Sequence, residues 1–344
     1  MARRGLLWAA LISIFILLSG CNLFGPKDVS NSQGIDPPPL TGQSTDNPEN
    51  EAKSQSGKNM QKVYVTDVDG YVVPWSVEMP KVEGNGLAKQ VISYMIKGSE
   101  GDKLLPKGLT NILPEGAKLI GMTIKDGVAT VDFSPGFKKY KGENEQKIID
   151  AITWALTEFD NVKEVSIWIN GTPLETMPVK GTPVNRLSRQ NGINLEISEN
   201  VKMGQTRPVT IYLQGQLSDK VTYFVPVTRL IPRTDDVASA VINELLKGPL
   251  QGSTLYSSLL PSVNVLSVKK ENETITVNFD NKILSYNQGE ANPNAVTEIV
   301  LSLTENTDAK KIQLMVDGKK NLKAGKEDYS KPVSRPTVIN PSAY

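Results

Sequence analysis

The sequence predicts an α+β protein: two tandem copies of one small sandwich, each an antiparallel-rich sheet with two helices on one face. A signal peptide and an unfolded spacer precede them. Three observations carry this reading. The chain repeats itself, with Tyr71-Val72-Val73-Pro74 returning as Tyr223-Phe224-Val225-Pro226 and further matches following in the same order. Within each copy the apolar residues alternate between a period of two and a helical period. Ahead of both copies, an apolar run is followed by a long stretch with almost nothing to bury.

The N-terminal run sets the compartment. Arg3 and Arg4 form a positive head, and Leu6 to Leu18 are apolar apart from Ser13. That run is too short to span a bilayer, so residues 1–20 read as a signal peptide. Leu18-Ser19-Gly20-Cys21 has the form of a bacterial lipobox, in which the thiol is acylated (palmitate among the chains) and becomes the first group of the mature protein. An ordinary signal peptide with a chance cysteine is the plainer alternative. Cys21 is the only cysteine among the 344 residues, which excludes a disulfide. Each buried methylene of an acyl chain contributes about 0.8 kcal/mol, so two or more chains hold firmly. Residues 21–61, including Asp36-Pro37-Pro38-Pro39, read as a lipidated flexible spacer with a reach of roughly 30 to 40 Å.

The first copy spans 62–185 and the second 208–336, with a connector at 186–207 and a tail at 337–344. In copy one, Val63-Tyr64-Val65 and Tyr71-Val72-Val73 flank a polar turn and predict a hairpin. Asp67-Val68-Asp69-Gly70 hints at calcium, but the turn lacks further carboxylates and Gly215-Gln216-Leu217-Ser218 replaces it in copy two. A first helix follows on Ala88, Val91, Ile92, Met95 and Ile96, repeated by Ala238, Val241, Ile242, Leu245 and Leu246. Gly84-Asn85-Gly86 has no glycine counterpart and is not a phosphate loop. Ile120, Met122 and Ile124, an Asp126-Gly127 turn, then Val131 and Phe133 predict a second hairpin. Thr130-Val131-Asp132-Phe133 recurs as Thr276-Val277-Asn278-Phe279. The second helix buries Ile148, Ile152, Leu156 and Phe159, matched by Ile299 and Leu303. The last strand carries Val165, Ile167 and Ile169 inward, as Ile312, Leu314 and Val316 do later. The tails match as Pro183-Val184-Asn185-Arg186 against Pro332-Val333-Ser334-Arg335.

Composition narrows the chemistry. With 38 basic against 37 acidic residues, no general attraction to nucleic acid is implied. There is no histidine, which removes the usual neutral-pH general base and the commonest metal ligand. No Gly-x-Ser-x-Gly elbow is present. Glu143 and Glu145 lie at a helix start, where negative charge is favoured, and copy two has no such pair. No catalytic residue, cofactor site or metal site is therefore expected. The lysines at 138, 139 and 141 and at 319, 320 and 323 read as solvated surface, with a minor role against anionic lipid or wall polymer as the alternative.

Off-face apolar residues are the remaining candidates. Trp154 lies well over 100° from the centre of its helix's core stripe, and Leu301 takes its place in copy two. Trp168 points opposite to Ile167 and Ile169, and Met315 is its counterpart. Two readings stand. Trp154 and Leu301 pack on the neighbouring helix while Trp168 and Met315 lie under a tail, or Trp154, Trp168, Leu301 and Met315 form a protein interface.

The lipobox, the proline-bearing spacer and the two Tyr-x-Val-Pro strands resemble the GerMN domain family of bacterial sporulation and germination proteins. So do Gly181-Thr182-Pro183-Val184, Leu187-Ser188-Arg189 and Gly192-Ile193-Asn194-Leu195-Glu196 at the junction. The resemblance covers nearly the whole chain. It implies a lipoprotein needed for spore formation and later germination, with domains similar to the ring-building modules of secretion machines. It further implies an assembly factor of a transenvelope complex, anchored on the outer face of the mother-cell membrane toward the intermembrane space. The family carries no catalytic residues, and its one position of defined chemistry is the lipidated cysteine, here Cys21. Copy two departs in its first turn and between Gly289 and Asn294.

The expected function is thus a non-enzymatic scaffold whose partners are the membrane, other envelope proteins and, through self-association or ring formation, itself. Doubling the module raises avidity through effective concentration. A solute-binding lipoprotein with ligand between the copies and a carboxylate-based wall hydrolase are the alternatives. A deep pocket between the copies would mark the first, and a buried carboxylate pair in a groove the second.

Overall fold

The computed structural model describes residues 59–82, 86–198, 201–202, 204–218, 221–287 and 289–341. Both copies lie within one compact unit, Gln55–Tyr344. Residues 1–58, with the expected signal peptide, Cys21 and most of the expected spacer, lie outside the described residues.

Copy one opens with strands β1 (Met60–Thr66) and β2 (Val72–Glu78), paired antiparallel with Val63 opposite Trp75. Their turn is closed by Asp67, whose side chain accepts the backbone N–H of Asp69 and Tyr71 at 3.0 and 2.8 Å. It is a plain Asx-type turn. Helix α1 (Gly86–Tyr94) buries Ala88, Val91 and Ile92. Strands β3 (Leu119–Lys125) and β4 (Val128–Phe133) turn through Asp126 and Gly127, both at positive φ (52° and 80°), as a primed hairpin turn demands. Helix α2 (Glu145–Leu156) then carries the chain across to β5 (Glu164–Ile169), which pairs parallel to β4. A short β6 (Thr172–Pro173) returns through Asn170-Gly171 to close the order β3-β4-β5-β6.

A two-residue β7 (Glu196–Ile197) lies in the connector. Copy two repeats the plan with longer opening strands, β8 (Thr206–Ser218) and β9 (Val221–Pro232). It continues through α3 (Val237–Lys247), β10 (Val265–Glu271), β11 (Thr274–Phe279), α4 (Pro293–Asn306) and β12 (Lys311–Val316). Again the pair joined through a helix, β11 and β12, is parallel, and β7 also runs parallel to β9 beside Arg229 and Leu230. A last small ribbon, β13 (Lys323–Ala324) with β14 (Glu327–Asp328), follows.

The α+β class and the doubling are as the sequence predicts. The layering adds something the periodicity did not. The opening hairpin of each copy is not part of the mixed sheet but a separate sheet, and the second helix touches both. From Ile148 to Leu156 every residue of α2 is buried, and α4 is buried almost as fully from Ala295 to Leu303. A helix apolar on more than one stripe has to be covered on more than one side. That is the physical origin of the off-face Trp154 and Leu301.

The repeat register also needs a correction. Leu187 bridges Val165 in copy one, and Val333 bridges Ile312 in copy two. Val165 and Ile312 are equivalent, so Leu187-Ser188-Arg189 matches Val333-Ser334-Arg335, in place of the expected pairing of Arg186 with Arg335. The recurring Pro-Val-x-Arg pattern lies three positions out of this register. The correction carries the equivalence onward to Ile193-Asn194 and Ile339-Asn340, and those four residues organise the molecule.

Candidate functional site: the seam between the copies and the outer sheet faces

The four predicted interface residues separate into two pairs. Trp154 and Leu301 are fully buried, so neither is open to an external partner, and the interface expectation fails for both. Trp154 donates its indole N–H to the Gly192 carbonyl at 2.9 Å and meets the Tyr64 ring at 6.2 Å. The Arg189 guanidinium lies 4.3 Å above its ring, a cation–π contact. Leu301 packs with Tyr212 and Ile339 beside Phe224. Both side chains therefore meet the segments that follow each copy. Trp168 and Met315 are half-buried on the outer faces of the mixed sheets, in register with Asp132 and Asn278. The Trp168 indole donates to Ser166 Oγ at 2.9 Å.

The unpredicted site is the seam between β2 and β9, the two Tyr-x-Val-Pro strands. Each strand turns three backbone positions toward the other copy: Val72, Pro74 and Ser76 on β2, and Phe224, Pro226 and Thr228 on β9. Asn194 accepts from Val72 N at 2.8 Å and donates to Val72 O (2.7 Å) and Pro226 O (2.8 Å). Asn340 does the same with the copies exchanged. It accepts from Phe224 N at 2.8 Å and donates to Phe224 O and Pro74 O, both at 2.8 Å. Ile193 accepts the Thr228 backbone N–H at 2.9 Å and donates its own N–H to the Thr228 hydroxyl at 3.0 Å, and Ile339 makes the same two bonds with Ser76 at 3.2 and 3.0 Å. The seam therefore has a local pseudo-twofold, with each copy supplying one edge and one Ile-Asn arm.

This explains the repeated proline. Within a strand the N–H and C=O of one residue point to the same side. An N–H at 74 or 226 would face the donating amide of Asn340 or Asn194, and two donors would confront each other without an acceptor. Proline presents the carbonyl and removes the donor. Both asparagines sit at positive φ (48° and 50°), a conformation asparagine tolerates better than most residues. Gly192, at φ 82°, lets the first arm approach closely, since a Cβ there would fall 2.9 Å from Thr228 Cβ.

Further contacts cross the seam. Tyr223 donates to Asp67 at 2.7 Å, and the Tyr71 hydroxyl lies 3.1 Å from Ser253 Oγ. Trp75 meets Tyr223 edge-on with centroids 6.1 Å apart. At one flank lies a repeated Tyr-Glu-Arg cluster: Tyr64, Glu158 and Arg189, and Tyr212, Glu305 and Arg335. Tyr64 donates to Glu158 at 2.8 Å and Tyr212 to Glu305 at 3.1 Å. Arg189 pairs with its own copy's Glu158 and crosses to Glu305 at 2.6 Å, where Arg335 also binds at 2.7 Å. Lys62 completes the cluster on Glu158. Burial pushes both carboxyls up, but Arg189 with Lys62 on Glu158, and Arg189 with Arg335 on Glu305, outweigh it and hold both below the usual range.

Buried carboxylates elsewhere are committed to structure. Glu145 accepts from Tyr140, from the backbone N–H of Val179, Lys180 and Thr182, and from the Thr182 hydroxyl, all within 3.1 Å. Burial raises its pKa, and these bonds reverse the shift and bring it to about 2. Glu143, its neighbour in sequence, is exposed. Glu298 accepts from Gln214, Ser257 and Ser258. Burial raises Asp150 to about 6, against hydrogen bonds from Gln146 and from the Asn194 backbone. Among the described residues no group of three or more Cys, Asp or Glu side chains could hold a metal ion. Clefts of about 290 and 610 Å³ lie at the flanks of the seam, the larger lined by Arg189, Arg207, Arg233 and Glu305. Along the seam itself the two strand edges are bridged by the Asn194 and Asn340 side chains.

The fold and seam define a tandem two-domain protein whose copies are locked by equivalent arms. The chain belongs to the Germane family, described as sporulation and spore germination, whose model matches residues 62–175 and 210–322. It is similar to the spore germination protein GerM of Bacillus subtilis (strain 168), with 34% identity over 369 residues and 100% of each chain covered. Among solved structures it is similar to the tandem GerMN domains of the sporulation protein GerM from Bacillus subtilis. That match has a TM-score of 0.77 and 37% identity, covering 82% of this chain and 99% of the other. A role in spore formation or germination follows from membership and from identity across the full chain.

Proposed function

We propose that the protein is a non-enzymatic, lipid-anchored scaffold of the sporulation envelope. Cys21 carries the acyl chains, the spacer sets reach, and the locked pair of domains presents its outer sheet faces to other envelope proteins of a transenvelope complex. In sporulating cells its place is the outer face of the mother-cell membrane, toward the intermembrane space. The observation that carries this reading is the seam. Copies bridged by two amide arms and a crossing ion pair hold their outer faces in one fixed relation, which serves positioning of partners. Trp168 supplies an aromatic anchor on one face and Met315 an adaptable apolar one on the other, residue types favoured at interface cores.

The test is co-purification from sporulating membranes, with Trp168→Ser and Met315→Ser compared with wild type after each variant is shown to unfold at an unchanged temperature. Loss of envelope proteins from folded variants supports docking through those faces. A wild type that brings down no envelope protein defeats the scaffold reading.

A further inference from the structure

The pseudo-twofold of the seam has a consequence for assembly, and it deepens the scaffold reading on which it rests. We propose that each copy's half of the seam is a self-complementary docking surface, and that the partner it fits is the same surface on a second molecule of this chain. An interface obeying twofold symmetry needs one patch that carries both members of every contact. Each copy carries both an edge and an arm, and copy one also carries Tyr71 with Asp67, a pair copy two lacks because Gly215 stands at the Asp67 position. Copy one has the edge Val72, Pro74, Ser76 and the arm Ile193-Asn194. Copy two has the edge Phe224, Pro226, Thr228 and the arm Ile339-Asn340.

Placing a second copy one where copy two now sits keeps the chemistry intact. Asn194 would bridge its own Val72 and the other molecule's Pro74 carbonyl, which already accepts from an asparagine amide. Ile193 would meet Ser76, which already binds an isoleucine backbone. Arg189 would cross to Glu158, the equivalent of the Glu305 it now reaches. Tyr71 would reach Asp67, as its equivalent Tyr223 does.

In the closed chain the connector gives copy two a high effective concentration, so intramolecular pairing wins. A chain opened at the seam becomes divalent. Its two ends each pair with a like end, and molecules join into linear or ring assemblies without any new surface. The closed form thus stores the contacts that the assembled form uses.

A charge inversion confined to copy one separates the two pairings. In the full chain carrying Lys62→Glu, Glu158→Arg and Arg189→Glu, the pair inside copy one is preserved with reversed signs. Across the closed seam, residue 189 then repels Glu305, and residue 158 repels Arg335, which already acts on Glu158 electrostatically. Between two such molecules, copy one meets copy one with opposite charges in register. The expected result, by size-exclusion chromatography with light scattering, is a monomeric wild type and a variant that associates at least tenfold more tightly. Adding Asn194→Ala and Asn340→Ala should return that variant to monomer. A folded charge variant that stays monomeric at every concentration overturns the proposal.

A second measurement decides the matter should the charge variant not fold. Wild-type chains produced without residues 1–20, so that the Cys21 thiol is not acylated, are labelled there with donor or acceptor, mixed in urea below their unfolding midpoint and then diluted. Energy transfer that survives dilution, and is lost with Asn194→Ala and Asn340→Ala, supports exchange through the seam. Absence of transfer overturns it. Co-purification of other envelope proteins is a separate readout, so failure here leaves the scaffold reading standing and the reverse also holds.

Discussion

Asn194 and Asn340 show how much one side chain can organise. Each amide satisfies three backbone groups on two strands that belong to different copies. Replacing Asn340 by alanine leaves Phe224 N–H and two carbonyls without partners, and each buried orphan costs about 1 to 3 kcal/mol before water re-enters. Asn340→Ala should therefore lower stability by roughly 2 to 4 kcal/mol in urea unfolding. An unchanged midpoint would mean that the arm contributes nothing. Pro226→Ala tests the other half of the argument. The new N–H faces the donating amide of Asn194, so this variant should lose about 1 to 2 kcal/mol although alanine suits a strand interior no worse than proline. A gain in stability would refute the assigned role of the proline.

Among the elements, α2 separates burial from interface most clearly. Trp154 fills the space between its helix, Tyr64 and the connector, and its removal leaves both a cavity and an orphaned Gly192 carbonyl. Trp154→Ala should cost about 3 to 5 kcal/mol, whereas Trp168→Ser, where the ring is only half-buried, should cost clearly less, about 1 to 2 kcal/mol. Equal losses in thermal or denaturant unfolding would show that the two faces are not distinguished as described. The strands, hairpins and helices themselves were legible from periodicity and turn chemistry, with Asp126-Gly127 read directly as a tight turn. What periodicity missed was the separation of each opening hairpin from the mixed sheet. Alternation says which face of a strand is apolar, not which neighbour covers it. For the same reason the off-face apolar pattern of α2 and α4 was visible while its partner was not.

At the scale of the whole molecule the seam is sensitive to pH in a definite direction. Burial raises Asp150 to about 6 and also raises Asp67, and both touch the seam, through Asn194 and Tyr223. An unfolded aspartate titrates near 3.9, so between those values the folded state binds more protons than the unfolded. Stability from these two groups is present at mildly acidic pH and is lost as pH rises through the folded values. Glu145, Glu158 and Glu305 are shifted the other way, and their contribution is lost only as pH falls below the unfolded carboxylate range. Stability should therefore peak between about pH 4.5 and 6, and Asp150→Asn should flatten the decline from pH 5 to 8. A decline of unchanged slope in that variant would remove Asp150 as its source.

The sequence by itself determined the two copies, the α+β class, the order of strands and helices and the outward placement of Trp168 and Met315. These follow from local periodicity, turn residues and self-comparison, all of which are written along the chain. Even the Ile-Asn arms were written there twice, but the loops before them differ in length between the copies, and no local pattern marks an asparagine as a bridge. Only the tertiary structure decided that the two Tyr-x-Val-Pro strands face one another, that their prolines leave acceptors for two asparagine amides, and that Trp154 and Leu301 lie beneath the arms. Those contacts join residues far apart in the chain, and their energy arises only where the backbone edges of two separately folded copies meet.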